Sequence, residues 1–179
     1  AVKFPDQAQF NPLKFLSSVA EGLNIYENTF VREMRGNTAV TDKGKIHADT
    51  VIAATHFPFI NKHGSYFLKL YQARSYVIAL ENAQDVNGMY VDECDTGLSF
   101  RNYEGLLLLG GGGHRTGKKG GNWAELRAFA AKKYPNSREK HFWATQDCMS
   151  LDGIPYIGRY SAKTHGFYVA SGFNKWGMT

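Results

Sequence analysis

Residues 106–121, LLLLGGGGHRTGKKGG, carry the residue types of a loop that binds phosphate groups. Residues 112–118 fit the pattern G-x-x-x-x-G-K, in which glycine N–H groups and a lysine surround the phosphates of a nucleotide. Lys119 follows, however, where that loop needs Ser or Thr to bind Mg²⁺, and the next helix is expected to begin only at about Asn122. The dinucleotide pattern G-x-G-x-x-G fails as well, because Arg115 stands at its last position. The sequence therefore disfavours a phosphate-binding loop.

His114 is the side chain of this stretch that could take part in acid–base chemistry. Two interpretations of the glycines around it stay open. They can form a flexible connection between a strand and a helix, or a loop whose backbone brings His114 close to a flat ligand. In the second interpretation His114 is a candidate active-site residue.

A second candidate stretch is ASGFNKWGMT, residues 170–179. Apolar residues 167–170, which favour a strand, run into Gly172, and polar and small residues typical of a helix start follow. Thr179 can cap a helix, since its hydroxyl can accept a hydrogen bond from a backbone N–H two or three residues later. A strand, a turn and a helix start with no helix after them indicate an internal piece of a longer protein.

Composition limits the class of protein. The 179 residues, 43% of them hydrophobic, are enough for a single folded unit with its own core. A net charge of +5 permits an anionic ligand but gives no basis for a nucleic-acid partner. Cys94 and Cys148 have no metal-ligand spacing, so we expect free thiols in a reducing compartment and no metal site. The longest aliphatic run is residues 106–109, and AVKFPDQAQF has no signal-peptide region, which predicts a cytoplasmic protein without a membrane span.

Two stretches have the periodicity of helices. Residues 12–22 begin with the capping residue Asn11 and with Pro12, which suits the first helical position, and their apolar residues share one face. Residues 122–134 have Asn122 as the expected cap and an apolar inner side. These patterns predict helices over both ranges.

Short β-compatible runs separated by turn signals fill most of the remaining chain. Glu104-Gly105 and Asp152-Gly153 are such signals, and the run ADTVIAATH at residues 48–56 is apolar enough for a buried strand. Together with the two helices, these runs predict an α+β fold, in which a mostly antiparallel sheet is flanked by helices.

Four stretches together resemble the FAD-dependent amino-acid and amine oxidoreductases, the family of D-amino-acid oxidase, glycine oxidase and sarcosine oxidase. They are DTVIAATH, LLLLGGGGH, SLDGIPYIG and GFYVASGFNKWGMT. The turn D-G-x-P-x-I-G followed by G-x-Y-V-A-x-G-F is the most specific of these signals. The ending GFNKWGMT is similar to the subset of members that carry a Rieske iron–sulfur domain.

The resemblance implies a parent enzyme in which FAD accepts a hydride from the C–N bond of an amino acid or amine. It implies one folded unit, with residues 57–149 in the substrate domain and approximately residues 1–56 and 150–179 in the FAD-binding domain. The glycine-rich turn that holds the ADP half of FAD in this family is absent here. FAD is therefore expected in the intact parent and not on this fragment. An iron–sulfur domain of the parent chain is an expected partner, and activity of the fragment itself stays open.

The family's motif positions also imply roles for single residues. The backbone of Val31 matches the position that meets the adenine, and Ala53, Ala54 and Thr55 match the turn beside the ribose and pyrophosphate. His114 matches a catalytic histidine of the sarcosine oxidases. The loop along the pyrimidine edge of the flavin, where backbone N–H groups can stabilise negative charge, is matched by Gly172, Phe173, Asn174, Lys175, Trp176, Gly177 and Met178.

One position departs from the family. The glycine oxidase pattern has an arginine before D-G-x-P that binds the substrate carboxylate, and Asp147 stands at about that place here. An acidic side chain repels a carboxylate, so an ordinary amino-acid substrate requires a cation from Arg74, Arg101 or Lys175. A non-catalytic module that binds a ligand or a protein is the alternative function.

Overall fold

The computed structural model describes residues 4–60, 63–94 and 97–177. Met178, a predicted cofactor contact, and Thr179, the expected helix cap, lie outside the described residues. The helices are α1 (Pro12–Ala20), α2 (Tyr66–Lys69) and α3 (Trp123–Lys133). The strands are β1 (Val31–Arg35), β2 (Thr38–Thr41), β3 (Lys45–His47), β4 (Val51–Ala53), β5 (Leu70–Glu81), β6 (Tyr90–Val91), β7 (Ser99–Tyr103), β8 (Leu106–Arg115), β9 (Arg138–Ser150), β10 (Tyr156–Arg159) and β11 (Phe167–Ser171).

These strands form three sheets in the described part of the chain. Their orders are β1–β2–β3, β10–β11–β4 and β6–β7–β8–β5–β9. Every strand pair is antiparallel except β11 with β4, which is parallel. The prediction of an α+β fold dominated by antiparallel pairing is confirmed.

The five-stranded sheet is built on local turns and two long strands. β7 and β8 are joined at Glu104-Gly105, where φ is +48° and +79°, the pair of positive values that a tight hairpin turn requires. β5 then pairs with β8 on one side and with β9 on the other. β5 is therefore the central strand that positions residues of both neighbours.

Successive residues of β5 point to opposite sides, so the sheet has two distinct faces. On one side, here called the helix face, Tyr76, Ile78 and Leu80 pack against α3. The other side, here called the open face, carries Tyr71, Ala73, Ser75 and Val77, of which Ala73 is buried and the other three are partly buried. This alternation decides which candidate site residues can meet.

Two hydrophobic clusters hold the described structure together. One joins the helix face to α3 through side chains such as Leu107, Leu109 and Leu126, each with no exposed surface. The other joins one end of β5 and β9 to the sheet of β4 and β11, and its members include Leu70, Cys148 and Val169. β5 and β9 thus contribute to both clusters and fix the two sheets against each other.

Both predicted helices exist, with shorter bounds than expected. Asn11 caps α1 as predicted, since its Oδ1 accepts hydrogen bonds from the backbone N–H groups of Leu13 and Lys14 at 3.0 and 3.2 Å. The predicted cap at Asn122 is wrong. Its φ of +46° and ψ of −138° lie outside the extended region that a capping side chain needs, and it makes no cap hydrogen bond. Within the described residues, no helix has the length and apolar character that crossing a membrane requires.

Candidate functional site

The ends of two parallel strands bring two predicted cofactor segments together. β4 and β11 pair in parallel, with Val169 beside Ala53. Parallel strands end at the same edge of a sheet, and that edge is where ligands commonly bind in sheets of this kind. Residues 53–55 consist of the last residue of β4 and the two residues after it, and residues 172–177 follow β11. The Ser171 hydroxyl donates to the His56 carbonyl at 2.5 Å and ties the two segments to each other.

The first residue of the segment 172–177 must be glycine. Gly172 has φ +75°, and a Cβ at this position would lie 2.9 Å from Cδ2 of Leu70. A side chain here would therefore be strained by the backbone and would collide with the core. The glycine lets this segment pass directly over the end of β5.

Asn174 fastens the segment to the edge of β9. Its backbone N–H donates to the Cys148 carbonyl at 3.0 Å, and its Oδ1 accepts from the Ser150 backbone N–H at 3.1 Å. Its Nδ2 donates to the carbonyls of Gly153 and Gly172, each at 3.1 Å. Since φ of Asn174 is +55°, a conformation that asparagine tolerates, the side chain and the backbone together fix this turn.

Asp147 lies beside this edge, one residue before Cys148. Burial raises the pKa of the Asp147 carboxyl above its ordinary value, while the positive charges of Lys175 and His56 act in the opposite direction. Lys175 is exposed and belongs to the segment 172–177, and His56 follows residues 53–55. The carboxylate therefore lies where both predicted cofactor segments contribute positive charge.

His114 lies on the helix face and not beside Asp147. It is the cross-strand partner of Arg74, and its imidazole stacks on Tyr76 with ring centroids 5.7 Å apart. Its Nδ1 lies 3.0 Å from the Arg115 carbonyl and its Nε2 lies 2.9 Å from the Tyr76 hydroxyl. Gly120 covers the ring, since a Cβ there would lie 2.2 Å from Cδ2 of His114. The catalytic role of His114 stays a prediction, and its surroundings hold the ring in place.

The glycine run lies inside a strand. Residues 110–113 belong to β8, which continues to Arg115, so they form neither a loop nor a flexible connection. The strand accommodates them through an irregularity in the pairing with β5 between Arg74 and Tyr76. Gly112 has φ +63°, and a Cβ there would lie 3.3 Å from the Asn122 carbonyl oxygen. Close packing of the chain leading into α3 therefore requires glycine at this position.

The two predicted substrate-binding arginines occupy different surroundings. Arg74 points to the helix face, and its buried Nε has no hydrogen-bond partner within the described residues. Arg101 lies on β7, where its Nη1 donates to Oε1 of Gln9 at 3.0 Å. Arg74 therefore has a buried nitrogen free for a further hydrogen bond, although the alternation of β5 and β9 puts it on the opposite face from Asp147.

Val31 lies in the sheet β1–β2–β3 and not in the sheet of β4 and β11. It begins β1 opposite Thr41. The next residues of β1 border a cleft of about 300 Å³, which is lined by Arg32, Glu33, Met34, Gly36, Phe59, Ile60, His63, Tyr160, Thr164 and Phe167. The predicted adenine contact and the segments 53–55 and 172–177 thus belong to different sheets, and Met34 of β1 packs against the cluster that contains Ala53.

Comparison with known families decides which class of protein this arrangement belongs to. The family model described as DAO, FAD dependent oxidoreductase, matches residues 1–179. The chain belongs to this family of FAD-dependent oxidoreductases. The expected resemblance is confirmed.

Individual proteins of known sequence or structure are also similar to this chain. The chain is 33% identical to the Rieske 2Fe-2S iron–sulfur protein YhfW of Bacillus subtilis (strain 168), in an alignment that covers all of this chain and 38% of YhfW. Among solved structures, glycine oxidase from Geobacillus kaustophilus matches with a TM-score of 0.72 and 18% identity, over 88% of this chain and 46% of that one. L-proline dehydrogenase from P. horikoshii matches with a TM-score of 0.66 and 19% identity, over 89% and 48%. The chain spans less than half the length of these relatives.

FAD is the cofactor of this family, and the segment 172–177 has the groups that a flavin edge needs. The backbone N–H groups of Phe173 and Lys175 make no hydrogen bond within the described part of the chain, and the Lys175 ammonium is exposed. Two free donors and a cation on a rigid turn suit an aromatic ring edge that carries negative charge. The residues of this FAD-dependent oxidoreductase therefore fit the cofactor of its family.

Two residues near the site were not predicted as site residues. Arg115 shares the open face with Asp147, and Tyr71 lies under its guanidinium at 4.9 Å from the ring centroid. The signal that would have found Arg115 is the alternation of strand residues through the glycine run. If residues 110–115 are taken as a strand, His114 and Arg115 must point to opposite faces.

Proposed function

We propose that the full-length protein uses FAD to oxidise the C–N bond of an amino acid or amine. The observation that carries the proposal is the meeting of residues 53–55 and 172–177 at the shared end of β4 and β11, with Lys175 there. When bound, FAD supplies the hydride acceptor for such a bond. The residues of this chain hold the cofactor in position and place positive charge beside it.

The segment 172–177 holds the pyrimidine edge of the flavin in this proposal. The N–H groups of Phe173 and Lys175 donate to it, and the Lys175 ammonium places a positive charge beside it. Trp176 and Gly177 continue the same turn, and Met178 follows it in sequence. Ala53, Ala54 and Thr55 lie along the ribose and pyrophosphate, where small side chains allow close approach, and the Val31 backbone meets the adenine.

The separation of the strands into different sheets supports the division into domains that goes with this function. The sheet of β4, β10 and β11 comes from residues 51–53 and 156–171, and the five-stranded sheet comes from residues 70–150. We assign residues 1–56 and 150–179, approximately, to the FAD-binding domain and residues 57–149 to the substrate domain.

Candidate substrate groups lie on the five-stranded sheet. Arg74 has an unpartnered guanidinium nitrogen beside His114, so it can bind a carboxylate without first breaking a salt bridge. His114 can hold or move a proton at Nε2 once the Tyr76 hydroxyl releases it. Arg101 is the third candidate, and its bond to Gln9 must be exchanged for the substrate.

The similarity to YhfW supports two further parts of the proposal. The parent chain carries a Rieske iron–sulfur domain, and that domain takes electrons from the flavin. The cytoplasmic location stays a prediction from the sequence.

The test uses the full-length protein and two matched glycine variants. Gly172→Ala introduces a Cβ 2.9 Å from Leu70 at φ +75°, whereas Gly105→Ala at the β7–β8 hairpin introduces one at φ +79° with no atom within 4 Å. Both carry a similar backbone cost, so a loss of flavin found only in Gly172→Ala is due to displacement of the segment 172–177. We expect the purified wild-type protein to show a visible flavin spectrum that amines or amino acids bleach without oxygen. We expect Gly172→Ala to retain less FAD than Gly105→Ala.

Two outcomes contradict the proposal. If the wild-type protein folds but carries no flavin and binds none when FAD is added, the protein is instead a non-catalytic module that binds a ligand or a protein. If Gly172→Ala and Gly105→Ala hold FAD equally well, the segment 172–177 is not a cofactor contact.

A further inference from the structure

Asn174 lies at the first central position of the turn that carries the two free backbone donors. The backbone N–H of Trp176 donates to the Phe173 carbonyl at 3.4 Å and closes a turn with Asn174 and Lys175 at its centre. The φ of Asn174 is +55°, whereas Lys175 has no positive φ. Few residue types adopt a positive φ at this position of a turn, and asparagine is one that does. A left-handed residue between two others also turns the N–H groups on either side toward a common anion.

The side chain of Asn174 uses all of its donors within the protein. Its Oδ1 accepts a hydrogen bond from the Ser150 backbone N–H at 3.1 Å. Its Nδ2 has two protons, and three acceptors lie within reach: the carbonyls of Gly153 and Gly172, each at 3.1 Å, and the Ser150 hydroxyl at 3.3 Å. The family resemblance implies a cofactor contact at Asn174, but this side chain has no donor left for a cofactor.

The groups that hold Asn174 belong to the buried part of the molecule. The Cys148 carbonyl accepts from the Asn174 backbone N–H at 3.0 Å, and Cys148 and Ser150 are only 3% and 5% exposed. Among residues 173–175, it is Asn174 that forms hydrogen bonds with residues outside the segment 172–177 in the described part of the chain. The positions of the N–H groups of Phe173 and Lys175 therefore depend on Asn174.

We propose that Asn174 is a positioning residue, which fixes the N–H groups of Phe173 and Lys175 at the pyrimidine edge of the flavin without touching the flavin itself. The proposal rests on the proposed function, because it concerns the same FAD site. Hydrogen bonds to a cofactor contribute most to its binding when their donors are already ordered. Reduction adds negative charge at this edge, so donors held in place favour the reduced flavin. Loss of the Asn174 side chain should therefore weaken FAD binding and lower the reduction potential.

Asn174→Gly in the full-length holoenzyme removes the side chain and keeps the positive φ, which glycine adopts without strain. We expect FAD to dissociate roughly tenfold faster from this variant, because its hydrogen bonds come from a segment that is no longer held. We also expect the affinity for reduced FAD to fall about threefold more than that for oxidised FAD, which lowers the potential of a two-electron couple by about 15 mV. Asn82→Gly is the matched control and should change neither quantity. Asn82 has φ +56°, is exposed and has no side-chain hydrogen bond within the described residues.

A double-mutant cycle with Lys175→Met separates a positioning role from a merely structural one. If Asn174 holds the turn in place, Lys175→Met should lower the reduction potential by less in the Asn174→Gly background than in the wild type, because Lys175 then has no fixed place beside the ring. A structural role predicts lower thermal stability of Asn174→Gly with an unchanged potential.

Ser150→Ala covers the case in which Asn174→Gly does not fold. The Ser150 hydroxyl lies 3.3 Å from Nδ2 and 3.4 Å from Oδ1 of Asn174, so its removal weakens the contact from the side of β9 and leaves Asn174 in the chain. We expect FAD to dissociate about threefold faster from this variant. Ser137→Ala is the control and should leave FAD dissociation unchanged. It removes a hydroxyl that donates to the Tyr134 carbonyl at 2.7 Å, just after α3.

Three results overturn the proposal. Asn174 is not a positioning residue if Asn174→Gly releases FAD no faster than Asn82→Gly does. The same holds if Asn174→Gly leaves the potential unchanged or lowers it independently of Lys175→Met. It also holds if Asn174→Gly fails to fold while Ser150→Ala retains FAD as firmly as Ser137→Ala. In each case FAD is bound and the proposed function stands, whereas folded full-length wild-type protein that binds no FAD contradicts the proposed function itself.

Discussion

The hydroxyl of Tyr76 and Nε2 of His114 lie 2.9 Å apart on the helix face of the sheet. The partner of the other ring nitrogen fixes the direction of this bond. Nδ1 of His114 lies 3.0 Å from the Arg115 carbonyl, which can only accept, so Nδ1 carries a proton. In the neutral imidazole Nε2 is then the acceptor and the Tyr76 hydroxyl donates to it.

Replacing Tyr76 by Phe should therefore destabilise the protein by about 1 kcal/mol, because Nε2 loses its donor in a partly buried place. The measurement is denaturant or thermal unfolding of the full-length protein. Tyr90→Phe is the control, since that side chain is half exposed and is expected to change stability little. Equal effects of the two substitutions would show that the Tyr76 hydroxyl adds nothing to the packing of its ring.

Gly120 is the second residue that holds His114. A Cβ at this position would lie 2.2 Å from Cδ2 and 2.6 Å from Nε2 of the imidazole, so Gly120→Ala must move the ring and break its hydrogen bonds. We expect a loss of about 1–3 kcal/mol, typical of overpacking. We also expect shifted NMR signals of His114.

Gly117→Ala is the matched comparison for this substitution. Gly117 has φ +86° and no atom within 4 Å of a Cβ, so the change costs backbone strain of about 1–2 kcal/mol and leaves His114 where it is. If both variants shift the His114 signals equally, the effect comes from the loop as a whole and not from contact with the ring.

The sequence predicted the architecture well because its strongest signals are local. Asn11 and Pro12 begin α1 as expected, since a cap needs only its own helix. Glu104-Gly105 makes the predicted hairpin because two residues with positive φ determine the turn. The family resemblance predicted cofactor contacts at residues 53–55 and 172–177, whereas the parallel pairing that brings them to one edge is contained in no local pattern.

The sequence failed where a conformation depends on distant contacts. The run at residues 110–113 was expected to be a loop, because four glycines favour irregular backbone, yet pairing with β5 keeps it in a strand. That strand sends His114 and Arg115 to opposite faces, although the two residues are neighbours in sequence. The register that aligns Arg115 and Asp147 across Ala73 is a property of the tertiary structure, and the spacing of these residues in the sequence does not predict it.

Lys175 should raise the reduction potential of FAD in the full-length protein. Two unit charges about 4 Å apart interact with an energy of about 4 kcal/mol at an effective dielectric constant of about 20, before the cost of desolvation is subtracted. Because Lys175 is exposed, a net effect of roughly 1 kcal/mol is a sensible expectation, and this corresponds to roughly 20 mV for a two-electron couple. Lys175→Met should lower the potential by about that amount, as measured by dye-linked titration. Lys163→Met, which removes another exposed lysine, is the control. If the reduction potential of Lys175→Met is unchanged while flavin is still bound, Lys175 does not lie beside the flavin ring.

Asp147 predicts a pH dependence of stability with a defined sign. Its pKa is raised above the ordinary value of 3.8 because burial disfavours the carboxylate. The folded protein therefore binds this proton more tightly than the unfolded chain, and stability falls as pH rises from about 3.8 through the raised value. Above that window the ionised Asp147 carries the full cost of its burial. Asp147→Asn should accordingly raise the unfolding temperature at pH 7, and the gain should shrink as the pH approaches 4.

Glu139 provides a control of opposite sign. Hydrogen bonds from the Arg127 guanidinium lower the pKa of Glu139, so the carboxylate contributes stability above its unfolded pKa and loses it as pH falls through the lowered value. Glu139→Gln should therefore lower the unfolding temperature at pH 7, and the loss should shrink in acid. Thermal unfolding of the two variants and the wild type between pH 4 and pH 8 measures both trends. A loss of stability in Asp147→Asn at pH 7 would mean that Lys175 and His56 stabilise the carboxylate by more than its burial costs.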